Sequence, residues 1–304
     1  MSARRSYHSP AAFRRALTDR LRAKAEQSRW TVPQLQRQLA YDRLLQRLYL
    51  MDRGWIVKGA TALLARELSA RATIDIDIFR DASSHEAEAA LREAASWDLG
   101  DWFRFEVGPS RPGADGGVAT RVPVIAYVGE TRWAEFHVDI VGPDVRMTGE
   151  PEDVPPLAAI DMPDLEQHGY RAYPLVDHIA DKVTATFERY GEARNPSTRY
   201  RDLVDLVAII TGASVRAEPQ IRALRSEEER RGIVLPRRFE VPDKELWQRG
   251  YAREARRSLL PVARTLDEAL GIVRPFVDSL LDGTAAGRWN AERSDWEAED
   301  SADV

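Results

Sequence analysis

The chain has 304 residues, enough to bury a sizeable core in one large or two modest domains, and its composition, 43% apolar and 31% charged, is ordinary for a globular protein. With no cysteine, it excludes disulfides, thiolate metal sites and a cysteine nucleophile; its five histidines form no short-spaced ligand pair, which argues against zinc. No apolar run has membrane-spanning length and no signal core follows the first residues, so a cytoplasmic location without membrane partners is expected, while the net charge of -5 conceals a basic start, with thirteen Lys/Arg against four Asp/Glu up to residue 60.

Residues 10 to 53 read as helices. Phe13, Leu17 and Leu21, then Leu35, Leu39, Leu44, Leu45 and Leu48, recur at helical spacing among arginines, and Thr31 with Pro33 behind it is a helix start. The period then changes. Strands are expected over 55–58, 74–79, 102–107, 121–128 and 133–141, with a helix over about 85–97 capped by Ser83 or Ser84. Residues 108–117 form a Pro/Gly turn, and Gly129-Glu130 suits a hairpin. The sum is a small mixed sheet carrying helices. Residues 142–169 are rich in proline and acid and read as an irregular connection with a short strand near 145–147. A helical region follows over about 174–287, with a charged, exposed helix over 216–231. The end of the chain, with acids among Trp289 and Trp296, reads as a loosely held tail. The expected division is an N-terminal helical segment (1–53), a sheet domain (54–170), a helical domain (171–288) and an acidic tail (289–304).

The chemistry concentrates in two segments. In Ile74-Asp-Ile-Asp-Ile78, residues two apart share a strand face, so Asp75 and Asp77 point one way and the isoleucines the other. Two carboxylates on one face are either solvated or neutralised by a divalent cation carrying nucleotide phosphates. In Glu135-Phe-His-Val-Asp139, Asp139 shares a face with His137 and Glu135. Placed beside the first strand it makes a third carboxylate, able to bind Mg2+ and to take a proton from an attacking hydroxyl. Upstream, Lys58-Gly59-Ala-Thr61 joins a strand to a helix; Gly59 gives phosphate access to backbone N–H groups, Thr61 adds a hydroxyl, and Lys58 and Arg66 are either phosphate ligands or structural. Arg71 and Thr73 precede the aspartates and can brace them. In the helical region Lys182 is a candidate phosphate ligand, and Asp202 or Asp205 can orient it; the alternative is a salt-bridge network between helices. Arginine clusters, Arg194, Arg199 and Arg201 among them, are either solvated helix faces or a surface for a polyanion.

Lys58-Gly-Ala-Thr-Ala-Leu-Leu64, Thr73-Ile-Asp-Ile-Asp-Ile-Phe79, Asp177-His-Ile-Ala-Asp-Lys182 and Arg201-Asp-Leu-Val-Asp-Leu206 occur in this order. Together, over about residues 54–210, they resemble the AbiEii/AbiGii nucleotidyltransferase toxins of type IV toxin–antitoxin systems, with a likeness to the mycobacterial MenT toxins. The resemblance implies an α+β fold: a polymerase-beta-like nucleotidyltransferase mixed sheet with helices, N-terminal helices and a helical C-terminal domain. It implies transfer of a nucleotide from an NTP, with Mg2+, to the 3′ end of tRNA, which stops charging and translation, and a separately encoded antitoxin. The family's metal aspartates correspond to Asp75 and Asp77, its lysine to Lys182 and its later aspartate to Asp202, with Asp205 a rival. Gly59-Ala60 departs from the broader Gly-Ser motif and leaves Thr61 as the nearest hydroxyl. Two other readings share the fold: an antibiotic nucleotidyltransferase, which calls for an acidic acceptor pocket, and a non-catalytic regulatory binding protein.

Overall fold

The computed structural model describes residues 6–113, 119–143 and 145–298. Part of the expected turn over 108–117 and the last residues of the expected tail therefore lie outside the described residues. The chain divides into two compact units. The first comprises the chain through Arg66, Thr73–Val145 and Pro151–Ala172; the second comprises Glu67–Ala72, Arg146–Glu150 and the chain from Tyr173 onward.

In the first unit, α1 (Pro10–Glu26) starts where the Ser9 hydroxyl accepts a hydrogen bond from the Ala12 N–H, and α2 (Val32–Met51) starts where the Gln34 side chain accepts from the Thr31 N–H. The leucines read as an apolar stripe are buried, as that spacing requires. Next come β1 (Ile56–Lys58), the short α3 (Gly59–Ala65), β2 (Asp75–Phe79) and α4 (Ser84–Ser96), which Ser83 caps. The remaining strands of this unit are β3 (Phe103–Val107), β4 (Arg111–Pro112), β5 (Ala119–Val128), β6 (Thr131–Val141), β7 (Glu152–Val154) and β8 (Tyr170–Ala172). They form one mixed sheet in the order β3-β5-β6-β2-β1-β8-β7, with β4 also on β5. The pairs β2/β6 and β1/β8 are parallel and the others antiparallel. The strand expected near 145–147 is absent; the connection pairs instead through β7, whose Glu152 faces Ala172. Ile74, expected on the apolar face, precedes β2 and is exposed, because the ladder that buries Ile76 and Ile78 starts after it.

The second unit holds α5 (Leu175–Phe187), the hairpin β9 (Arg189–Tyr190) and β10 (Asn195–Pro196), α6 (Tyr200–Gly212), α7 (Ala217–Arg231), α8 (Lys244–Arg257), α9 (Leu266–Asp282) and the hairpin β11 (Arg288–Asn290) and β12 (Asp295–Glu297). The last hairpin corrects the expectation of a loose tail. Trp289 is buried, its indole N–H donates to the Ile210 carbonyl at 2.9 Å, and Phe276 and Trp296 pack against it at ring-centroid distances of 5.0 and 5.5 Å. The buried Trp289 and the half-buried Trp296 give this polar segment apolar area with which to offset the cost of ordering it. Among the described residues no helix is long and apolar enough to cross a membrane.

Candidate active site

The site is set by pairing register. Parallel pairing of β2 with β6 places Asp75 opposite His137 and Asp77 opposite Asp139. Antiparallel pairing of β1 with β2 places Lys58 opposite Asp77, and pairing of β5 with β6 places Arg121 opposite Asp139. Directly opposite residues share a face, so Lys58, Asp77, Asp139 and Arg121 form a row across four strands, with Asp75 and His137 in the neighbouring row. Ile76, Ile78, Val138 and Ile140 are buried on the opposite face and anchor the strands that carry this row.

Arg121 is the residue whose place here the sequence does not reveal. Its Nε donates to Asp139 Oδ1 at 2.8 Å and its Nη2 to Asp139 Oδ2 at 2.5 Å, a bidentate pair. The same Nη2 lies 3.5 Å from Asp75 Oδ2. His137 Nδ1 lies 3.3 Å from Asp75 Oδ1, but off the line of a hydrogen bond, so that oxygen is buried with no donor. The only sequence signal for Arg121 is its place in β5, between the half-buried Thr120 and the buried Val122; which strand it faces is a matter of register alone.

Asp75 and Asp77 suit a hard divalent cation. Both offer carboxylate oxygens on one face, and Asp75 Oδ1 lacks a partner that an ion would supply. Asp139 is placed beside them but is not open: Arg121 engages both its oxygens. Among the described residues no three His, Asp or Glu side chains stand arranged as one ligand set. The expected trio of open carboxylates thus meets at the level of strand register, with a guanidinium in its midst.

Gly59, with φ of +56°, lies against Asp77. A β-carbon there would stand 1.8 Å from Asp77 Oδ2 and 2.6 Å from its Cγ. The space beside the glycine is thus filled by the Asp77 carboxylate itself. Thr61 is fully buried and its hydroxyl donates to the Asp75 carbonyl at 3.2 Å, so it braces β2 instead of facing a phosphate. Thr73 braces the same residue, its hydroxyl donating to the Asp75 carbonyl at 3.0 Å and accepting from the Asp75 N–H at 3.2 Å. Arg66 pairs with Glu152 at 2.9 Å and ties α3 to β7. Tyr41 completes the support: its hydroxyl donates to the Thr73 carbonyl at 3.1 Å and its ring packs on Phe136.

In the second unit, Lys182 Nζ donates to Asp202 Oδ1 at 2.9 Å and Asp205 Oδ2 at 2.8 Å. Burial pulls the Lys182 pKa down, but the two carboxylates outweigh it and hold the ammonium above lysine's ordinary value. Burial likewise pushes Asp205 up, and Lys182 with Arg71 overrides it, taking the carboxyl down to about 2. Arg71, expected to brace the β2 aspartates, instead grips Asp205 with two hydrogen bonds of 3.1 Å. The choice between the two aspartates therefore divides by burial. Asp205 is fully enclosed between two cations, while Asp202 is partly open and also pairs with Arg199 at 3.2 Å. The basic N-terminal helices are less available than their sequence suggests: Arg43 and Arg47 are buried around Asp101, at 2.6 and 2.9 Å, and belong to the core.

A family model described as "Nucleotidyl transferase AbiEii toxin, Type IV TA system" matches residues 43–272. Among solved structures, MenT4, a nucleotidyltransferase toxin from Mycobacterium tuberculosis, superposes with a TM-score of 0.50 at 16% identity, covering 86% of this chain and 99% of its own. That likeness shows a shared fold. JHP933 from Helicobacter pylori matches with a TM-score of 0.43 at 15% identity, over 84% of this chain and 91% of that one. Comparison with curated proteins finds no match.

Proposed function

The chain belongs to the AbiEii family of nucleotidyltransferase toxins of type IV toxin–antitoxin systems, and from that premise we propose that it transfers a nucleoside monophosphate from an NTP to an RNA 3′ hydroxyl, at the acceptor end of tRNA, blocking aminoacylation and translation. The observation that carries this reading is the paired carboxylates of β2: Asp75 and Asp77 share a face, Asp75 has a partnerless oxygen, and Gly59 makes room for Asp77.

Asp75 and Asp77 would hold Mg2+, which when bound supplies charge neutralisation for the triphosphate and a lowered pKa for the attacking hydroxyl. Thr61 and Thr73 fix the backbone of Asp75, and the glycine contact fixes Asp77, so the carboxylates are positioned before substrate arrives. In the reaction the 3′ hydroxyl gives up its proton to water, its oxygen forms a bond to the α-phosphorus, the α–β phosphoanhydride bond breaks and pyrophosphate leaves. Lys182 is assigned, by the family resemblance, to a phosphate of the NTP; Asp202 and Asp205 take two of its three N–H donors. Asp202, the more open of the two, orients it. Exposed arginines such as Arg194 and Arg201 are assigned to RNA phosphates, and a separately encoded antitoxin is the expected protein partner.

The test is incubation with each labelled NTP in turn, Mg2+ and total tRNA. Label is expected in tRNA with the wild-type chain and not with Asp77→Ala. Label on an aminoglycoside and none on tRNA would overturn the reading in favour of antibiotic modification. Equal inactivity of both proteins on every acceptor would leave a non-catalytic binding protein.

A further inference from the structure

We propose that Arg121 is a resident cation of the active face, which neutralises Asp139 and Asp75 in the metal-free chain and must be displaced before the three carboxylates can act as one ligand set. The inference rests on the nucleotidyltransferase reading of this face.

Three observations carry it. Arg121 stands directly opposite Asp139 across the β5/β6 ladder and grips both its oxygens at 2.8 and 2.5 Å. Its Nη2 also lies 3.5 Å from Asp75, the first carboxylate of the β2 pair, so one guanidinium spans two acids from different strands. Both acids and the arginine are largely withdrawn from solvent, with side-chain exposures of 26% for Asp75, 12% for Asp139 and 23% for Arg121, where charge pairs are screened little. Adjacent strands lie about 4.8 Å apart, so three anions on neighbouring strands repel strongly without a cation among them. A guanidinium covalently tied to the sheet meets that need until an ion arrives.

The consequence is a coupling between metal and nucleotide. A divalent ion entering alone must give up the help of Asp139 or break its charge-assisted hydrogen bonds. A polyanionic triphosphate entering with the ion offers Arg121 a new partner, so the displaced cation and the incoming ligand favour each other. Arg121 is in this sense a positioning residue: it acts through the carboxylates.

The experiment measures Mn2+ affinity of the full chain without nucleotide, by titration calorimetry and by electron paramagnetic resonance of free Mn2+. Arg121→Gln should bind Mn2+ more tightly than wild type by about tenfold or more, the scale set by one lost charge-assisted hydrogen bond. A non-hydrolysable NTP should raise Mn2+ affinity more in wild type than in the variant. A merely structural ion pair predicts the opposite, a loosened sheet and equal or weaker Mn2+ binding, and that result overturns the inference. Should Arg121→Gln fail to fold, crystals of the wild-type chain grown with Mn2+ decide: an ion at Asp75 and Asp77 with Arg121 withdrawn from Asp139 supports it, and an ion there with Arg121 still bridging Asp139 and Asp75 overturns it. Tighter Mn2+ binding by the variant in a chain that transfers no nucleotide would sink the functional reading and leave Arg121 as the guard of a metal site. Equal affinities in a chain that does transfer nucleotide would do the reverse.

Discussion

Replacing Gly59 by alanine tests the site from the backbone outward. Two penalties add. An L-residue at φ of +56° sits in the left-handed region, which costs roughly 1–2 kcal/mol. The new β-carbon would also lie 1.8 Å from Asp77 Oδ2, 2.6 Å from Cγ and 3.0 Å from Cβ, so the carboxylate must leave its place. The backbone term alone should lower the Tm by roughly 2–8 °C. Displacing a carboxylate that positions charge should lower transfer by about 10²–10³. Gly191→Ala is the matched control: φ is +70° there and nothing lies within 4 Å of the added carbon. It should lose comparable stability and keep transfer. The assay pairs thermal melting with NMP incorporation into tRNA by both variants. A folded Gly59→Ala that transfers like wild type would refute the claim that the glycine exists to seat Asp77.

The other expectations concern charges. Asp205→Asn leaves Lys182 and Arg71 short of their enclosed counter-charge and should cost roughly 3 kcal/mol, a Tm drop of about 6–12 °C; a drop under about 2 °C would mean the buried network is not structural. Asp42 is buried beneath the connection to β8, and burial pushes its carboxyl from 3.8 up to about 6 against the hydrogen bonds from Tyr170, Ala158 and Leu157. Its folded pKa is raised, so its stabilising contribution is full below 3.8 and is lost as pH rises through about 6, by about 3 kcal/mol in all; Asp42→Asn should flatten that part of the Tm–pH curve, and an unchanged slope would assign it to other groups. Reversal of Arg194 and Arg201 to glutamate should weaken tRNA modification most at low salt and flatten its salt dependence while sparing NTP binding; a loss of equal size at every salt concentration would remove these residues from the phosphate contact.

What the sequence determined by itself is local. Apolar spacing marks α1 and α2, the change of period marks the sheet, and strict alternation in Ile74-Asp-Ile-Asp-Ile78 puts Asp75 and Asp77 on one face, because strand geometry needs only the neighbouring residues. The ordered motifs also carry the family resemblance. The tertiary structure decided everything that depends on which segments meet. Arg121 reaches Asp139 only through the β5/β6 register, and a slip of one residue would turn it to the other face. Arg71 sits four residues from Asp75 in the chain yet binds Asp205, and Arg43 and Arg47 look like a basic surface until Asp101 encloses them. Trp289 and Trp296, acidic-tail residues by composition, fold back because Phe276 and Ile210 offer them a ring and a carbonyl. Periodicity records which way a side chain points relative to its own backbone; the identity of its partner depends on pairings closed over long stretches of chain, and no local pattern encodes them.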